Sequence, residues 1–244
     1  MTEEMGAPKP MSEIDRLIGV LFDPKPAFAD VAARPRWWVP LILLGVLALG
    51  FTYAYTQRVG WERFMRQQLE SSPQVQQMSA EQREQMIQQQ TRFAPVVGYV
   101  FGVLGWPFIT LVSAGAFLLV FNVMLGTRLS FRAIYGVTCY GMLPHFLAGV
   151  LAVVVMFLKD PADFDLENPL ATNIGAFLDP NTVPRWLISL GSSIDVFTIW
   201  SLVLLATGLS VAARKLAWSK AFTWVVAVWG FWLVVKTGWV WIFS

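Results

Sequence analysis

The sequence has almost none of the residues on which metal and disulfide chemistry depend. Its 244 residues include one cysteine and one histidine. A disulfide within the chain is therefore excluded, and a structural zinc site, which takes four Cys- or His-type ligands, has nothing to build on. Charge is scarce as well. Only 14% of the residues are Asp, Glu, Lys or Arg, against about 25% in an ordinary soluble domain. The net charge of +2 is small and spread along the chain, which argues against a nucleic-acid partner. No HExxH, GxSxG, Walker loop or paired-cysteine motif occurs. No catalytic residue is assigned, and neither an enzyme nor a cofactor or metal is expected. Cys139 lies in an apolar run and reads as a small packing residue.

What the chain has in excess is apolar residues, 56% of the total, gathered in five runs at about 37–55, 95–125, 133–158, 185–213 and 220–243. Each is long enough for a hydrocarbon core about 30 Å thick, which takes about 20 residues of helix. The sequence thus predicts an all-α polytopic membrane protein with five transmembrane helices. Residues 1–36 form a cytoplasmic N-terminal segment and 37–243 a five-helix domain with outer loops 56–94 and 159–184. The acidic, proline-containing start, MTEEMGAPKP, does not read as a cleavable signal peptide, and the first run is expected to stay as a signal anchor.

Basic residues orient the chain. Lys9, Arg16, Lys25, Arg34 and Arg36 precede the first run, Arg128 and Arg132 follow the second, and Arg214, Lys215 and Lys220 follow the fourth. Residues 159–184 instead carry Lys159 against Asp160, Asp163, Asp165, Glu167 and Asp179. The expectation is an inner-membrane protein with a cytoplasmic N-terminus and an outer C-terminus. The arginines of the first loop, Arg58, Arg63, Arg66, Arg83 and Arg92, run against it.

Short amphipathic helices are predicted outside the spans. Ser12 caps a helix on which Ile14, Leu17, Ile18, Leu21 and Phe22 make one apolar stripe. The FDPKP segment breaks it, and Pro26 starts a second helix through Ala33. Two placements are open for this pair: lying in the lipid interface, or packing on the base of the bundle. In the first loop, Trp61, Phe64, Met65 and Leu69 form one face, Ser72-Pro73 opens a helix, and Ser79 with Gln82 makes a capping box. Two short helices resting on the outer face are expected there, and an irregular acidic cap over 159–184.

Asp195 and Lys236 are the anomaly. They sit 21 residues before and 20 after Leu216, at the same depth of a hairpin made by the last two runs. Both fall inside the membrane, about 15 Å and 12 Å from the outer ends of their runs at 1.5 Å per residue. Three readings follow: an ion pair that fixes register, a water-accessible proton or ligand site, or Lys236 reaching outward alone. Ser192 and Thr198 share the helical stripe of Asp195. His145, directly after Pro144, is expected to bond a carbonyl freed by the proline, with proton relay as the alternative. Gly98 and Gly102 form a GxxxG that predicts close helix contact within the chain.

The second run reads VLGWPFIT (103–110) and the third CYGMLPH (139–145). With five spans and a cytoplasmic N-terminus, the chain resembles the Yip domain family, whose eukaryotic members carry DLxGP and GYxLLP-like motifs in these spans. Leu104 and Pro107 match the first motif, while Val103 stands for its Asp and Trp106 for its Gly. Tyr140, Leu143 and Pro144 match the second, with Cys139 for its Gly. FDPKPAF (22–28) and GLSVAARKLAWSKAF (208–222) look like the bacterial branch. The resemblance implies a polytopic scaffold without a cofactor. The family's tie to Rab-type GTPases runs through a longer N-terminal region, so that partner is not carried over. The partners expected are the lipid bilayer and another membrane or cytoplasmic protein. The competing expectation is a transporter or lipid-translocating protein with a polar path through Asp195, Lys236 and His145.

Overall fold

The computed structural model describes residues 10–70, 75, 77–179 and 182–243. Five helices among them are long and apolar enough to cross a membrane: Trp38–Arg58, Ala80–Met124, Phe131–Leu158, Val196–Ala213 and Trp218–Ile242. They correspond to the five apolar runs. In chain order the elements are α1 (Glu13–Phe22), α2 (Pro24–Ala33), α3 (Trp38–Arg58), α4 (Glu62–Glu70), α5 (Ala80–Leu118), a π-helical continuation (Leu119–Met124), α6 (Phe131–Gly141), α7 (Leu143–Leu158), α8 (Arg185–Ser193), α9 (Val196–Ala213) and α10 (Trp218–Phe243). Two 3-10 turns, Pro161–Asp163 and Ile174–Phe177, lie in the loop before α8.

Successive spans run in opposite directions, so α1, α2 and the links after α5 and α9 share one face of the bundle. The loops after α3 and α7 share the other. A side chain ties those two loops together. Arg58 at the end of α3 donates from Nε to Met156 O (2.8 Å) and from Nη2 to Phe157 O (2.9 Å) and Lys159 O (3.2 Å). The last carbonyls of a helix have no partner within it, and a cation there also meets the negative end of the helix dipole.

The structure departs from the sequence reading in three places. First, Ser79 and Gln82 do form the capping box, but the helix they start does not rest on the outer face. It runs on through Pro95 into the second span as the 39-residue α5. Each internal proline removes one donor and leaves the rest of the ladder. The expected opening at Ser72-Pro73 lies outside the described residues. Second, the run 185–213 is two helices. Asp195 is extended (φ −125°, ψ 148°) and caps α9, and Gly191-Ser192-Ser193 before it are weak helix formers. Third, the run 133–158 breaks at Met142, whose backbone leaves helical geometry (ψ 0°) and puts Pro144 in the first turn of α7, where its missing N–H is not needed.

The N-terminal hairpin is part of the bundle. Val20, Ala27, Phe28 and Val31 are fully buried with Ile134, Val137, Tyr140, Leu205 and Leu209 in the main core. Gly208 makes this possible. A Cβ added there would stand 2.5 Å from Val137 Cγ1 and 2.7 Å from Phe28 Cδ1. Gly98 and Gly102 act likewise between α5 and α3, since their added Cβ atoms would meet Thr52, Trp61 and Ala48. The GxxxG is an intrachain seam, as the sequence suggested.

At the other end of α9 the link is tight. Arg214 has φ 52°, and Lys215 N donates to Ala213 O across it (2.5 Å). This is a γ-turn at a non-glycine residue, a conformation that stores strain.

Gly208→Ala is expected to loosen the hairpin from α6 and α9. Overpacking of this kind costs about 1–3 kcal/mol, and reversible unfolding in mixed micelles should show that loss. An unchanged unfolding curve would mean that α2 does not dock against α9.

Candidate functional site

Of the charged residues singled out in the last two runs, Asp195 immediately precedes its membrane-length helix and Lys236 lies within its own, Trp218–Ile242. α9 starts at Val196 and has 18 residues, so at 1.5 Å per residue it is about 27 Å long, close to the full hydrocarbon thickness. Asp195 therefore marks the outer end of its span. Lys236 comes 18 residues after Trp218, the first residue of α10, again about 27 Å along the helix. The two residues stand at a similar height, since Lys236 reaches Ser193, two residues before Asp195, but Asp195 is a helix cap rather than a residue inside a continuous helix.

The expected ion pair does not form among the described residues. Asp195 accepts from the Phe197 and Thr198 amides through Oδ1 (2.7 and 3.0 Å) and from Thr172 Oγ1 through Oδ2 (2.7 Å). Its carboxylate thus completes the N-terminus of α9 and holds the preceding loop, while Val196 N donates to Thr172 O (3.3 Å). Lys236 Nζ instead donates to Ser193 Oγ on α8 (2.7 Å). The register reading assumed one continuous helix, whereas the break at Ile194-Asp195 makes the carboxylate the cap of α9. Ser192 donates to Asn168 Oδ1 (2.9 Å), and Thr198 contributes its amide. Ser192, Asp195 and Thr198 are thus brought together as a loop-to-helix clasp. Gly175 and Gly191 close it, because a Cβ on Gly175 would lie 2.6 Å from Ser192 N and one on Gly191 2.9 Å from Gly175 N.

His145 lies elsewhere. Its Nδ1 pairs with Ser201 Oγ on α9 (3.1 Å), and its ring stands edge-on to Trp106 of α5, with centroids 5.5 Å apart. The carbonyl partner expected of the ring is met by its backbone instead, with His145 N donating to Met142 O (3.0 Å). His145 is a joint between α5, α7 and α9.

The strongest polar constellation was missed by sequence reasoning. Arg16 is 1% exposed and Asp30 6%, and Arg16 Nε donates to Asp30 Oδ2 at 2.5 Å. Arg16 also bonds Glu13 Oε1 (3.0 Å), which accepts from Arg36 as well (2.9 Å). Arg34 closes on the second oxygen of Asp30. Glu13 Oε2 accepts from Tyr140 Oη (2.8 Å), a bond from α1 to the middle of the third span. Burial alone would raise the Asp30 carboxyl, but the guanidinium of Arg16, with help from Arg34, holds it below the usual carboxylate range. Burial likewise opposes the Arg16 charge, and Asp30 and Glu13 outweigh it and raise its pKa.

The signal lay in α1. Of the apolar stripe, Ile14, Ile18 and Phe22 are 67%, 54% and 79% exposed. The buried line is Arg16 and Val20, flanked by Leu17 and Leu21. Glu13 and Arg16, one turn apart and facing inward, were the clue. One side of the hairpin packs on the bundle, and Ile14, Ile18 and Phe22 face away from it.

The five spans, the break at Pro144 and the buried Tyr140 now stand together with what comparison with known proteins shows. The Yip1 domain profile matches residues 18–240. The chain belongs to the Yip1 domain family. A membrane protein of Bacillus subtilis (strain 168), YknW, is similar, with 26% identity over 215 residues that cover 86% of this chain and 85% of that protein. No solved structure matches. This Yip1 domain is a multi-pass membrane protein. Of its motif positions, Tyr140 donates to Glu13, and Leu143 and Pro144 are buried at the start of α7. Leu104 is exposed on α5, and Pro107 shares with Trp106 the hydroxyl of buried Thr110, which donates to both carbonyls (3.1 and 2.8 Å).

Asp30→Ala is expected to cost about 3–5 kcal/mol, because it leaves the buried guanidinium of Arg16 without its main partner. The pH dependence has a definite sign. Asp30 titrates below its unfolded value of about 3.9, so its contribution is full above about pH 4 and is lost as pH falls through the folded value. Arg16 contributes throughout the accessible range, since Asp30 and Glu13 raise a guanidinium that is charged at any ordinary pH. Unfolding midpoints from pH 7 to pH 3 should fall steeply at the acid end for the wild type and much less for Asp30→Asn. Parallel curves would remove Asp30 from the account.

Proposed function

We propose that this Yip1-family protein works without chemistry, as a membrane-organising or partner-binding scaffold in the inner membrane with its N-terminus in the cytoplasm. The observation that carries this reading is the buried Glu13–Arg16–Asp30–Tyr140 network, which fixes the N-terminal hairpin to the third span. A segment held in this way presents one rigid surface rather than a loose tail. Exposed Lys25, Arg36, Arg128, Arg132, Arg214, Lys215 and Lys220 surround it, and basic residues near a membrane surface favour anionic headgroups by about 1 kcal/mol each. The basic residues of the short links favour a cytoplasmic position for this face.

The competing reading, a transport path through Asp195, Lys236 and His145, has less support. Asp195 is committed to capping α9 and to Thr172, Lys236 is bonded to Ser193, and His145 is packed between Trp106 and Ser201.

Photo-crosslinking amino acids at Lys25, Ala29 and Ala33, compared with Gln85 and Asp163 on the opposite face, separate the two in intact cells. The scaffold reading expects discrete protein adducts from the hairpin positions, weakened when Arg128 and Arg132 are both changed to Glu. Adducts confined to the opposite face would overturn it. A proton flux in proteoliposomes that disappears in His145→Asn would favour transport.

A further inference from the structure

The N-terminal hairpin leaves one apolar side of α1 exposed. Ile14, Ile18 and Phe22 lie together on it, within about 80° of arc at 3.6 residues per turn. Ser12 and Asp15 are exposed on a second arc and share a hydrogen bond (2.6 Å). Arg16 and Val20 are buried on a third. A surface helix of a soluble domain has two sides, core and water; α1 has three. Arg16 keeps its charge at every accessible pH, and its bonds to Asp30 and Glu13 stop α1 from rolling. The side with three large apolar residues therefore stays turned away from the bundle.

The contacts of Glu13 set the depth of that side. α3 has 21 residues, about 31 Å at 1.5 Å per residue, the thickness of one hydrocarbon core. Exposed Trp37 and Trp38 stand at its start, and tryptophans gather at membrane boundaries. Arg36, one residue earlier, donates to Glu13 (2.9 Å), so α1 begins at that boundary. The third span agrees. Its 28 residues make about 42 Å, roughly 12 Å more than the core. The surplus lies on this side, because Tyr140 donates to Glu13 (2.8 Å) and Tyr135 meets Trp37 with ring centroids 5.3 Å apart. The hairpin thus flanks the part of α6 that rises past the hydrocarbon, where Ala133–Gly141 are buried without a gap.

A helix that lies along a membrane boundary and also packs on protein has to meet protein, water and acyl chains on three sides. We propose that α1 lies in the boundary layer of the leaflet on this face, with Ile14, Ile18 and Phe22 among acyl chains and Asp15 toward water. Exposed Lys25, three residues after Phe22, and Arg36 beyond the other end of the hairpin stand where lipid phosphates would meet them. The proposal goes beyond the scaffold reading and narrows it: lipid takes the apolar side of α1, and exposed Ala29 and Ala33 of α2 are left for a protein partner.

The test is the solvent met by a nitroxide on each side of α1. Ile14→Cys, Asp15→Cys, Ile18→Cys and Phe22→Cys, each with Cys139→Ser in the full chain, are spin-labelled and reconstituted into vesicles of dioleoylphosphatidylcholine and dioleoylphosphatidylglycerol. Val46→Cys on α3 and Lys215→Cys in the link after α9 give the lipid and water references. Oxygen concentrates in hydrocarbon and a nickel chelate stays in water. Labels at 14, 18 and 22 should collide more with oxygen than with nickel, as at 46, and the label at 15 should do the reverse, as at 215. Nickel-dominated collisions at 14, 18 and 22 would place the stripe in water and overturn the proposal. Protection from both reagents would mean a second copy covers it, and would overturn it equally. The unsubstituted chain gives a check that needs no variant: phosphatidylglycerol with a diazirine in its acyl chain should label residues 13–22, and labelling of α3 without α1 would contradict the proposal.

Discussion

An arginine buried among membrane helices cannot shed its charge, so everything near Arg16 has to be arranged around that charge. Its pKa lies far above any accessible pH, and an unpaired buried ion costs several kcal/mol. Asp30 supplies one partner and Glu13 another. Because Glu13 also accepts from Tyr140, the solution to a local problem on α1 fixes the hairpin against the third span. Once the hairpin is placed, Phe28 and Val31 need room, and glycines at 208 and 136 provide it. The core at this end of the bundle includes the hairpin: Phe117, Phe121, Leu205 and Leu209 share one buried cluster with Val20, Ala27, Phe28 and Val31.

The two faces of the molecule solve the membrane problem differently. On the hairpin face, charge is buried and paired, and basic residues surround it. On the opposite face, polar side chains close helix ends: Asp195 caps α9, Arg58 caps α7, and the contact between Gly175 and Gly191 lets the 159–184 loop lie directly on α8. Each orphan amide or carbonyl at the membrane edge would otherwise depend on water for a partner. The loop with little regular structure is therefore a fitted cap, held by Thr172, Asn168 and the two glycines.

Much of this was legible in the sequence. Five apolar runs gave five spans, because length and hydropathy are what a bilayer selects. The Ser79 capping box and the Gly98–Gly102 seam were legible because each rests on neighbouring residues of a single helix. The misreadings share a cause. Hydropathy averages over a run and does not register a single extended residue, so Asp195 read as a mid-span charge when it ends one helix and caps the next. An apolar stripe says which residues avoid water, but in a membrane protein both lipid and core satisfy that, and α1 turns Ile14, Ile18 and Phe22 away from the core. The Glu13–Tyr140 bond joins residues 127 apart, and no local pattern announces it. Pro144 marked where the third span loses part of its ladder, but neither the division into two helices at Met142 nor Ser201 as the partner of His145 was legible.

Docking of the N-terminal hairpin inside the bundle is the claim on which the rest depends, and one covalent link reads it directly. A Cβ on Gly136 would stand 3.0 Å from Pro35 Cβ, near the Cβ separation of about 3.5–4.5 Å found in disulfides. With Cys139→Ser as background, Pro35→Cys and Gly136→Cys should oxidise to a disulfide within one chain in native membranes, identified as a linked peptide by mass spectrometry. Two free thiols under the same oxidation, in a chain that folds and inserts normally, would contradict the docked hairpin and the account built on it.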